Sequence, residues 1–580
     1  MSGDDILEGL DEHLEASMEA FDAPGLAIVA LRNNEIVYSK GFGYRDVDKE
    51  LEMTPNTAHP IASCTKSFTS TAIALLVDEG KLEWDTPIRE FIPQFKMKDP
   101  VATERVTIVD MLSHRTGLPR HDFVWVNDDF SYREILERLP HLDLSKDIRT
   151  DMQYCNLMYL AASVIIEELS GMSYNDFIVK RIFKPLKMKD SNLTIQSLRQ
   201  TPDYATPYKV DFKDEKTGFI ECDYIEHDDA AGAGDINSSI DDMGKWLRFH
   251  LNKGRVGKKQ LVSADNLQRT QDSVIITSMT MGLDAWVPNQ KWFRMDSYAL
   301  GWAGIMFRGN RLVRHGGGID GSTSLMGFIP DEGVGVMAVV NKSDCVLSSV
   351  AFFHLFDRLL GIEPVDWNEI YLRIDAEIIK SIQQSGEKSQ GIRIAKTKPS
   401  RSISEYVGRY SHPGYGEVEF YLKDEDLIFK MGSVDYPMTH FHYDTFQFDI
   451  KRFDIKGLLT FHADDGGEIV KFSSKLEQLT SPITFTHLPD KHMREKEFLK
   501  PLIGEYEIMG MTVAIEFKGE DSLVLKIPGQ HTKEMEPVRG MKFTAKDGSF
   551  SLKFKKDDSG PVSEFLYIDA MQVIPAKRIE

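Results

Sequence analysis

Apolar positions over the first 362 residues alternate between helical and strand periods. Over 5–21, Ile6, Leu7, Leu10, Leu14 and Met18 fall on one helical face. Pro24-Gly-Leu-Ala-Ile-Val-Ala30 is an unbroken apolar run that suits a buried strand. Arg32-Asn33-Asn34 supplies a turn into a second strand over 35–43. Helical patterns dominate 63–250, strands return near 298–306, 311–315, 323–329 and 334–341, and a Phe- and Leu-rich helix covers 346–360. Short turns between neighbouring strands imply antiparallel pairing. The simplest architecture is an antiparallel sheet built from both ends of this unit, with helices over it and a helical lobe from the middle segment.

A further amphipathic helix is expected over 366–383, and the polar stretch 385–401, with Gly386, Gly391 and Pro399, reads as a linker. Beyond it, short alternating strands with turns every 8 to 12 residues point to barrels or sandwiches. This tail repeats itself. Tyr406-Val-Gly408-Arg-Tyr410 recurs as Leu502-Ile-Gly504-Glu-Tyr506, and Leu427-Ile-Phe-Lys430 as Leu523-Val-Leu-Lys526, both at an offset of 96. Phe461 and Phe472 match Phe554 and Phe565 at an offset of 93. Fixed offsets with one small slip favour a duplicated domain. The organisation expected is 1–362, a helix and linker over 363–401, one β-barrel over 402–488 and a second over 489–580.

Charge narrows the function. Lys and Arg total 69 against 90 Asp and Glu, a net charge of −21. Such a surface repels phosphate backbones and anionic membranes, so neither nucleic acid nor membrane is an expected partner. The acidic, amphipathic N-terminus lacks the basic start and apolar core of a signal peptide, and a cytoplasmic location is expected. Four cysteines do not make a disulfide scaffold. There is no Gly-x-x-x-x-Gly-Lys-Ser/Thr phosphate loop and no Gly-x-Ser-x-Gly elbow, and no cofactor is expected. His440-Phe-His442 would put two imidazoles on one strand face, but with no third ligand at a diagnostic spacing it reads as a pair of solvated histidines rather than a metal site.

Three short segments carry candidate chemistry. In Ser63-Cys64-Thr65-Lys66, at the head of a helical run, residues three apart share a face, so Lys66 stands beside Ser63. Burial would make the amine a base for the hydroxyl, and the Ser63 N–H lies among the unpaired donors of a helix start. Alone, this spacing is weak. It recurs as Ser385-Gly-Glu-Lys388 in the linker, and a helix cap followed by a surface lysine is the commoner meaning. Tyr154-Cys155-Asn156 offers a phenol for proton relay and an amide for a substrate carbonyl. Its ordinary meaning is a helix start. His315-Gly316-Gly317-Gly318 lets a ligand approach the backbone closely, and the Gly318 N–H is a candidate second oxyanion donor. Alone it is a glycine turn beside a core histidine. Cys64 and Cys155 flank these residues and are read as packing groups.

Ser-x-x-Lys, Tyr-x-Asn and His-x-Gly in this order resemble the penicillin-recognising serine hydrolases, closest to class C β-lactamases and their D-aminopeptidase, DD-carboxypeptidase and esterase relatives. Pro24-Gly-Leu-Ala27, Leu112-Ser-His-Arg-Thr-Gly-Leu-Pro119, Ala231-Gly-Ala-Gly234, Leu300-Gly-Trp302 and Asn341 are similar to familiar segments of that family, over about residues 12–362. The resemblance implies an α+β, β-lactamase/transpeptidase-like catalytic domain with an antiparallel sheet and a helical lobe. The tail is similar to the two small lipocalin-like β-barrels of bacterial D-aminopeptidases. It also implies Ser63 as acylated nucleophile, Lys66 and Tyr154 sharing base and acid work, and Asn156, His315 and Gly317 as substrate-binding residues. Ser63 and Gly318 would form the oxyanion hole.

His315 stands where β-lactamases carry Lys, and Gly316 replaces a hydroxyl residue. A mostly neutral imidazole holds a substrate carboxylate poorly, so peptidase or esterase activity is expected ahead of β-lactamase activity. The expected function is acyl-enzyme hydrolysis of a small amide, short peptide or ester, most nearly as a D-aminopeptidase. Carboxylesterase, acyltransferase and a non-catalytic binding protein with a relic site are the alternatives. Exposed barrel edges would support a homo-oligomer.

Overall fold

The computed structural model describes residues 7–125, 130–211, 218–224, 231–277, 287, 291–377, 393–450, 455–556 and 560–579. These fall into two compact units, 1–392 and 393–580. Ile6, residues 378–383 of the expected helix, and the linker with its Ser385-x-x-Lys388 lie outside the described residues.

The first unit is built on a nine-stranded antiparallel sheet. Its strands are β1 (Gly25–Arg32), β2 (Glu35–Asp46), β3 (Leu51–Glu52), β4 (Ile275–Ile276), β5 (Phe293–Tyr298), β6 (Ala303–Phe307), β7 (Asn310–Ile319), β8 (Ser322–Ile329) and β9 (Val334–Val340). The spatial order is β4-β5-β6-β7-β8-β9-β1-β2-β3, so strands from the two ends of this unit meet where β1 pairs with β9. Both faces of this centre are covered, which is why β1 and β9 read as continuous apolar runs. Leu26, Ile28 and Ala30 pack with the N-terminal helix α1 (Leu10–Ala20) and with α6 (Leu347–Leu359). On the opposite face, Val29 meets α5 (Ile240–Leu251) at Gly244.

The helical lobe contributes α2 (Thr65–Asp78), α3 (Leu157–Ser170) and the short α4 (Ala231–Gly234). Residues 65–76 of α2 are all buried, although the sequence there is rich in Ser and Thr. The hydroxyls are satisfied locally: Ser67, Ser70 and Thr71 donate to the carbonyls of Cys64, Lys66 and Ser67. A polar run can therefore cross the core without unpaired groups.

Two expectations change. The strand anticipated over 298–306 is broken into β5 and β6 at Ala299–Trp302, where Gly301 has φ 77°. The glycines after His315 do not form a turn. β7 runs through them to Ile319, paired with β8 from Val313↔Phe328 to Ile319↔Ser322. Pairing with β6 ends at Arg314↔Ala303, so from His315 onward no strand among the described residues pairs with β7 on that edge.

The second unit contains two closed eight-stranded up-and-down barrels, between Gly408 and His487 and between Gly504 and Ile579. The repeat is visible in the geometry. Tyr410 donates to the Tyr406 carbonyl and Tyr506 to that of Leu502, and Phe461↔Phe472 and Phe554↔Phe565 are equivalent cross-strand pairs. Closure leaves neither barrel an open strand edge among the described residues, which removes the edge-pairing route to self-association. Arg539 of the second barrel donates to the Val407 and Ile469 carbonyls of the first, and Lys553 pairs with Glu468. His440 contacts the Tyr443 carbonyl and His442 accepts from the Ile394 N–H, at a bulge in their strand.

Candidate active site

The chain enters α2 through a tight turn, Ala62–Cys64, and Ala62 is held at φ 48°. A non-glycine residue in the left-handed region costs of order 1–2 kcal/mol and persists only where the surroundings impose it. The next residue is Ser63, half-buried at the head of α2. One turn on, Lys66 is fully buried. Its Nζ lies 3.1 Å from Ser63 Oγ, 2.8 Å from Asn156 Oδ1 and 2.8 Å from the Ala233 carbonyl of α4. Burial, assisted by the positive charge of Arg120, brings the Lys66 pKa down to about 7.

Those three contacts accommodate the neutral amine that a pKa of about 7 makes available. An uncharged Lys66 has two N–H donors and one lone pair. Asn156 Oδ1 and the Ala233 carbonyl accept only and take the two donors, so the lone pair faces the Ser63 hydroxyl. Protonation replaces that lone pair with a third donor. For a reaction that needs the free amine, kcat/KM should rise with pH through a limb near 7 and fall about tenfold per unit below it. A pH–rate profile with no break between 6 and 8 would rule out Lys66 as base.

Tyr154 hydrogen-bonds to Ser63, and burial pushes its pKa well above the usual phenol value. Its loop is zipped to the segment around His114. The Gln153 N–H donates to the His114 carbonyl at 2.7 Å, the Cys155 N–H donates to His114 Nδ1 at 3.1 Å, and the His114 ring lies 4.2 Å from the Tyr154 ring. Buried Asp110 anchors this segment through Arg115 and Arg149. Cys64 and Cys155 are buried, with thiol pKa values pushed up to about 12 by burial, so both stay protonated.

Asn156 is oriented from both ends. Its Nδ2 donates to Asp122 Oδ1 at 3.3 Å and its Oδ1 accepts from Lys66. Asp122 also accepts from Trp125 Nε1 at 2.7 Å and from Arg120 Nε at 2.5 Å. A carboxylate can only accept, so Asp122 forces the amide to show oxygen to Lys66. Asp122→Asn removes that constraint and lets the amide invert. The expected result is a fall of about 10- to 100-fold in kcat, with Tm little changed. A loss confined to Tm would make Asp122 merely structural.

His315 is placed differently from the substrate contact expected of it. It is 5% exposed, and both ring nitrogens are engaged inside the protein. Nδ1 donates to the Gly316 carbonyl at 2.7 Å, which leaves neutral Nε2 as acceptor toward the Tyr298 hydroxyl at 2.9 Å. Burial lowers its pKa to about 3, so it carries no charge near neutrality. Gly317 is buried with its α-carbon against the Ile61 carbonyl, while Gly316 and Gly318 are exposed on the other side of β7. Cys64 Sγ lies 3.4 Å from the His315 carbonyl, so the unpaired stretch of β7 runs beside the Ser63 turn.

The structure thus brings Ser63, Lys66, Tyr154 and Asn156 into direct contact and sets Gly317 against the Ser63 turn. The sequence reading missed Arg120, Asp122 and Tyr298, and included His114 only within a familiar segment. No spacing signal marks them: Asp122 meets Asn156 and His114 meets Cys155 across long loops, Tyr298 meets His315 from another strand, and Arg120 joins them through Asp122.

The beta-lactamase family profile matches residues 10–346, and a domain of unknown function, DUF3471, matches residues 393–487, the first barrel. An unguisins hydrolase of Aspergillus campestris is 28% identical over 446 residues, covering 73% of this chain and 79% of its own. Protein flp of Staphylococcus aureus is 26% identical over 343 residues, 58% of this chain and 63% of its own. Among solved structures, the octameric penicillin-binding protein homologue of Pyrococcus abyssi aligns with a TM-score of 0.53 at 23% identity, covering 83% of this chain and all of that one. A D-amino acid amidase from Ochrobactrum anthropi aligns at 0.50 and 23% identity, covering 62% of this chain and 98% of its own. These two show the same fold.

Proposed function

The chain belongs to the beta-lactamase family of serine hydrolases, and on that premise we propose that it cleaves a small amide or short peptide through an acyl-enzyme on Ser63, in the manner of a D-aminopeptidase. The observation that carries this reading is the placement of Lys66 Nζ, 3.1 Å from Ser63 Oγ and held there by two carbonyl oxygens. Both N–H groups of the neutral amine are taken by carbonyl oxygens, which leaves it one partner, the Ser63 hydroxyl.

In the first half-reaction Ser63 Oγ bonds to the substrate carbonyl carbon as its proton passes to Lys66. Tyr154, kept protonated by its raised pKa, relays a proton from Lys66 to the leaving nitrogen as the C–N bond breaks. Water then repeats the sequence on the ester, and Ser63 recovers its proton. The N–H groups of Ser63 and Gly318 are the proposed oxyanion donors, and the remaining N–H of Asn156 Nδ2 is the proposed contact for the substrate carbonyl. His315 acts as a positioning residue through Tyr298. Its neutral, enclosed ring provides no cation for a β-lactam carboxylate, which ranks β-lactamase activity low.

A carboxylesterase is the second reading, because the same acyl-enzyme forms more easily from an ester. The test is hydrolysis of D-Ala and L-Ala p-nitroanilides, a p-nitrophenyl short-chain ester and a chromogenic cephalosporin by wild type and Ser63→Ala. Faster cleavage of the D-anilide, abolished in the variant, supports the peptidase reading. Turnover of the ester alone supports the esterase, and cephalosporin turnover overturns the ranking of His315. Activities that survive Ser63→Ala exclude the acyl-enzyme altogether.

A further inference from the structure

Arg120 sits at the mouth of the site with donors to spare. Its guanidinium carbon lies 5.2 Å from the centre of the Tyr154 ring, and its side chain is 52% exposed. Only Nε is engaged, by Asp122. The two Nη groups have no hydrogen-bond partner among the described residues. Arg120 is also the cation whose field reaches both Lys66 and Tyr154.

The neighbouring groups define what this guanidinium can take. Asp122 takes only the Nε donor: its Oδ2 accepts from Arg120 Nε, and its Oδ1 from Asn156 and Trp125. Lys66 has no donor left over, and His315 is neutral and enclosed. Among the described residues, the cleft therefore presents Arg120 as a permanent positive charge with a pair of planar, unpaired N–H groups. That is the geometry of a bidentate carboxylate partner. Held by Nε, the fork needs little reorganisation to receive one.

We propose that Arg120 is the anchor of an anion subsite beside Tyr154, and that the preferred substrate is an amide, peptide or ester carrying a carboxylate close to the scissile bond. This rests on the serine-hydrolase reading of Ser63 and adds a substrate class to it. It places the carboxylate beside Tyr154, on a cation other than the residue at the β7 position of His315. It also narrows the peptidase reading: the unpaired Nη donors of Arg120 favour an acid group there over a free ammonium.

The test compares matched pairs of esters. Butyryl and succinyl esters of one phenol differ by an acyl-side carboxylate, and acetyl esters of phenol and 3-hydroxybenzoic acid differ by a leaving-group carboxylate. The readout is the ratio of kcat/KM for the charged member to that for the neutral one, corrected for uncatalysed reactivity. This ratio cancels any general effect of a substitution on the site. In wild type it should reach about 10- to 100-fold for one of the pairs, the usual strength of a charge-assisted hydrogen bond. It should collapse toward unity in Arg120→Gln, persist in part in Arg120→Lys, and fall as salt is added. A ratio near unity in wild type for both pairs, or one that survives Arg120→Gln, overturns the subsite. Hydrolysis of all four esters that is indifferent to Ser63→Ala would instead mean that the serine-hydrolase reading has failed, and the two failures are thereby separated.

Discussion

Ser63→Ala is expected to lower kcat/KM by about four to six orders of magnitude, and Lys66→Ala by nearly as much. The double variant should be no slower than the worse single one. In the proposed mechanism nucleophile and base act as a unit: without the Oγ there is no proton to remove, and without the amine the hydroxyl is a poor nucleophile. The 3.1 Å contact and the two carbonyl partners of Lys66 make this coupling specific. A surface lysine would have a pKa near 10.4 and be an ammonium at neutrality; burial brings this one to about 7. Trapping separates the two roles. Wild type should gain the mass of the acyl group from a slow acylating ester, Ser63→Ala should gain nothing, and Lys66→Ala should acylate very slowly. Equal labelling of wild type and Ser63→Ala would move the nucleophile elsewhere.

What the sequence discloses depends on how far apart the partners lie along the chain. Ser63 and Lys66 are three residues apart on a helix, so their contact follows from the helical period alone. The barrel repeat is legible for a similar reason: a duplicated strand keeps its spacing, and Phe461 and Phe472 reappear as Phe554 and Phe565 in the same cross-strand register. That the sheet is built from both ends of the first unit is legible in the apolar runs of β1 and β9. By contrast, Asp122 meets Asn156 across 34 residues and His114 meets Cys155 across 41. Nothing in the local pattern around Pro119-Arg120-His121-Asp122 sets these contacts apart from ordinary loop polarity. His315 misleads in another way. Its position suggests a substrate contact, but the side chain turns inward because the Gly316 carbonyl and the Tyr298 hydroxyl satisfy both ring nitrogens. The glycines beside it have the composition of a turn and the pairing of a strand, since β8 supplies the hydrogen-bonding partner that only tertiary structure reveals.

Those three glycines should respond to alanine very unequally. At Gly317 an added Cβ would stand 2.2 Å from the Ile61 carbonyl oxygen and 2.5 Å from Ser324 Oγ. The first of these is backbone and cannot swing away, so β7 and the Ser63 turn must move apart. Forcing a methyl group into such a contact costs about 1–3 kcal/mol, and a shift of about 1 Å at the nucleophile costs about 100-fold in rate. Gly317→Ala is therefore expected to lose about two orders of magnitude in kcat/KM together with several degrees of Tm. At Gly316 the nearest atom to the new Cβ would be 3.6 Å away, an ordinary contact, and at Gly318 nothing lies within 4 Å. Both variants should keep the wild-type Tm. Because these two residues are exposed on β7 beyond its pairing with β6, any rate they lose reports substrate lying over the strand rather than damage to the fold. Measuring Tm and kcat/KM for all three separates wall from floor: a Gly317→Ala protein as stable and active as wild type would mean that β7 does not set the position of Ser63. Equal losses of Tm at all three positions would mean that the strand tolerates no side chain for reasons unrelated to substrate.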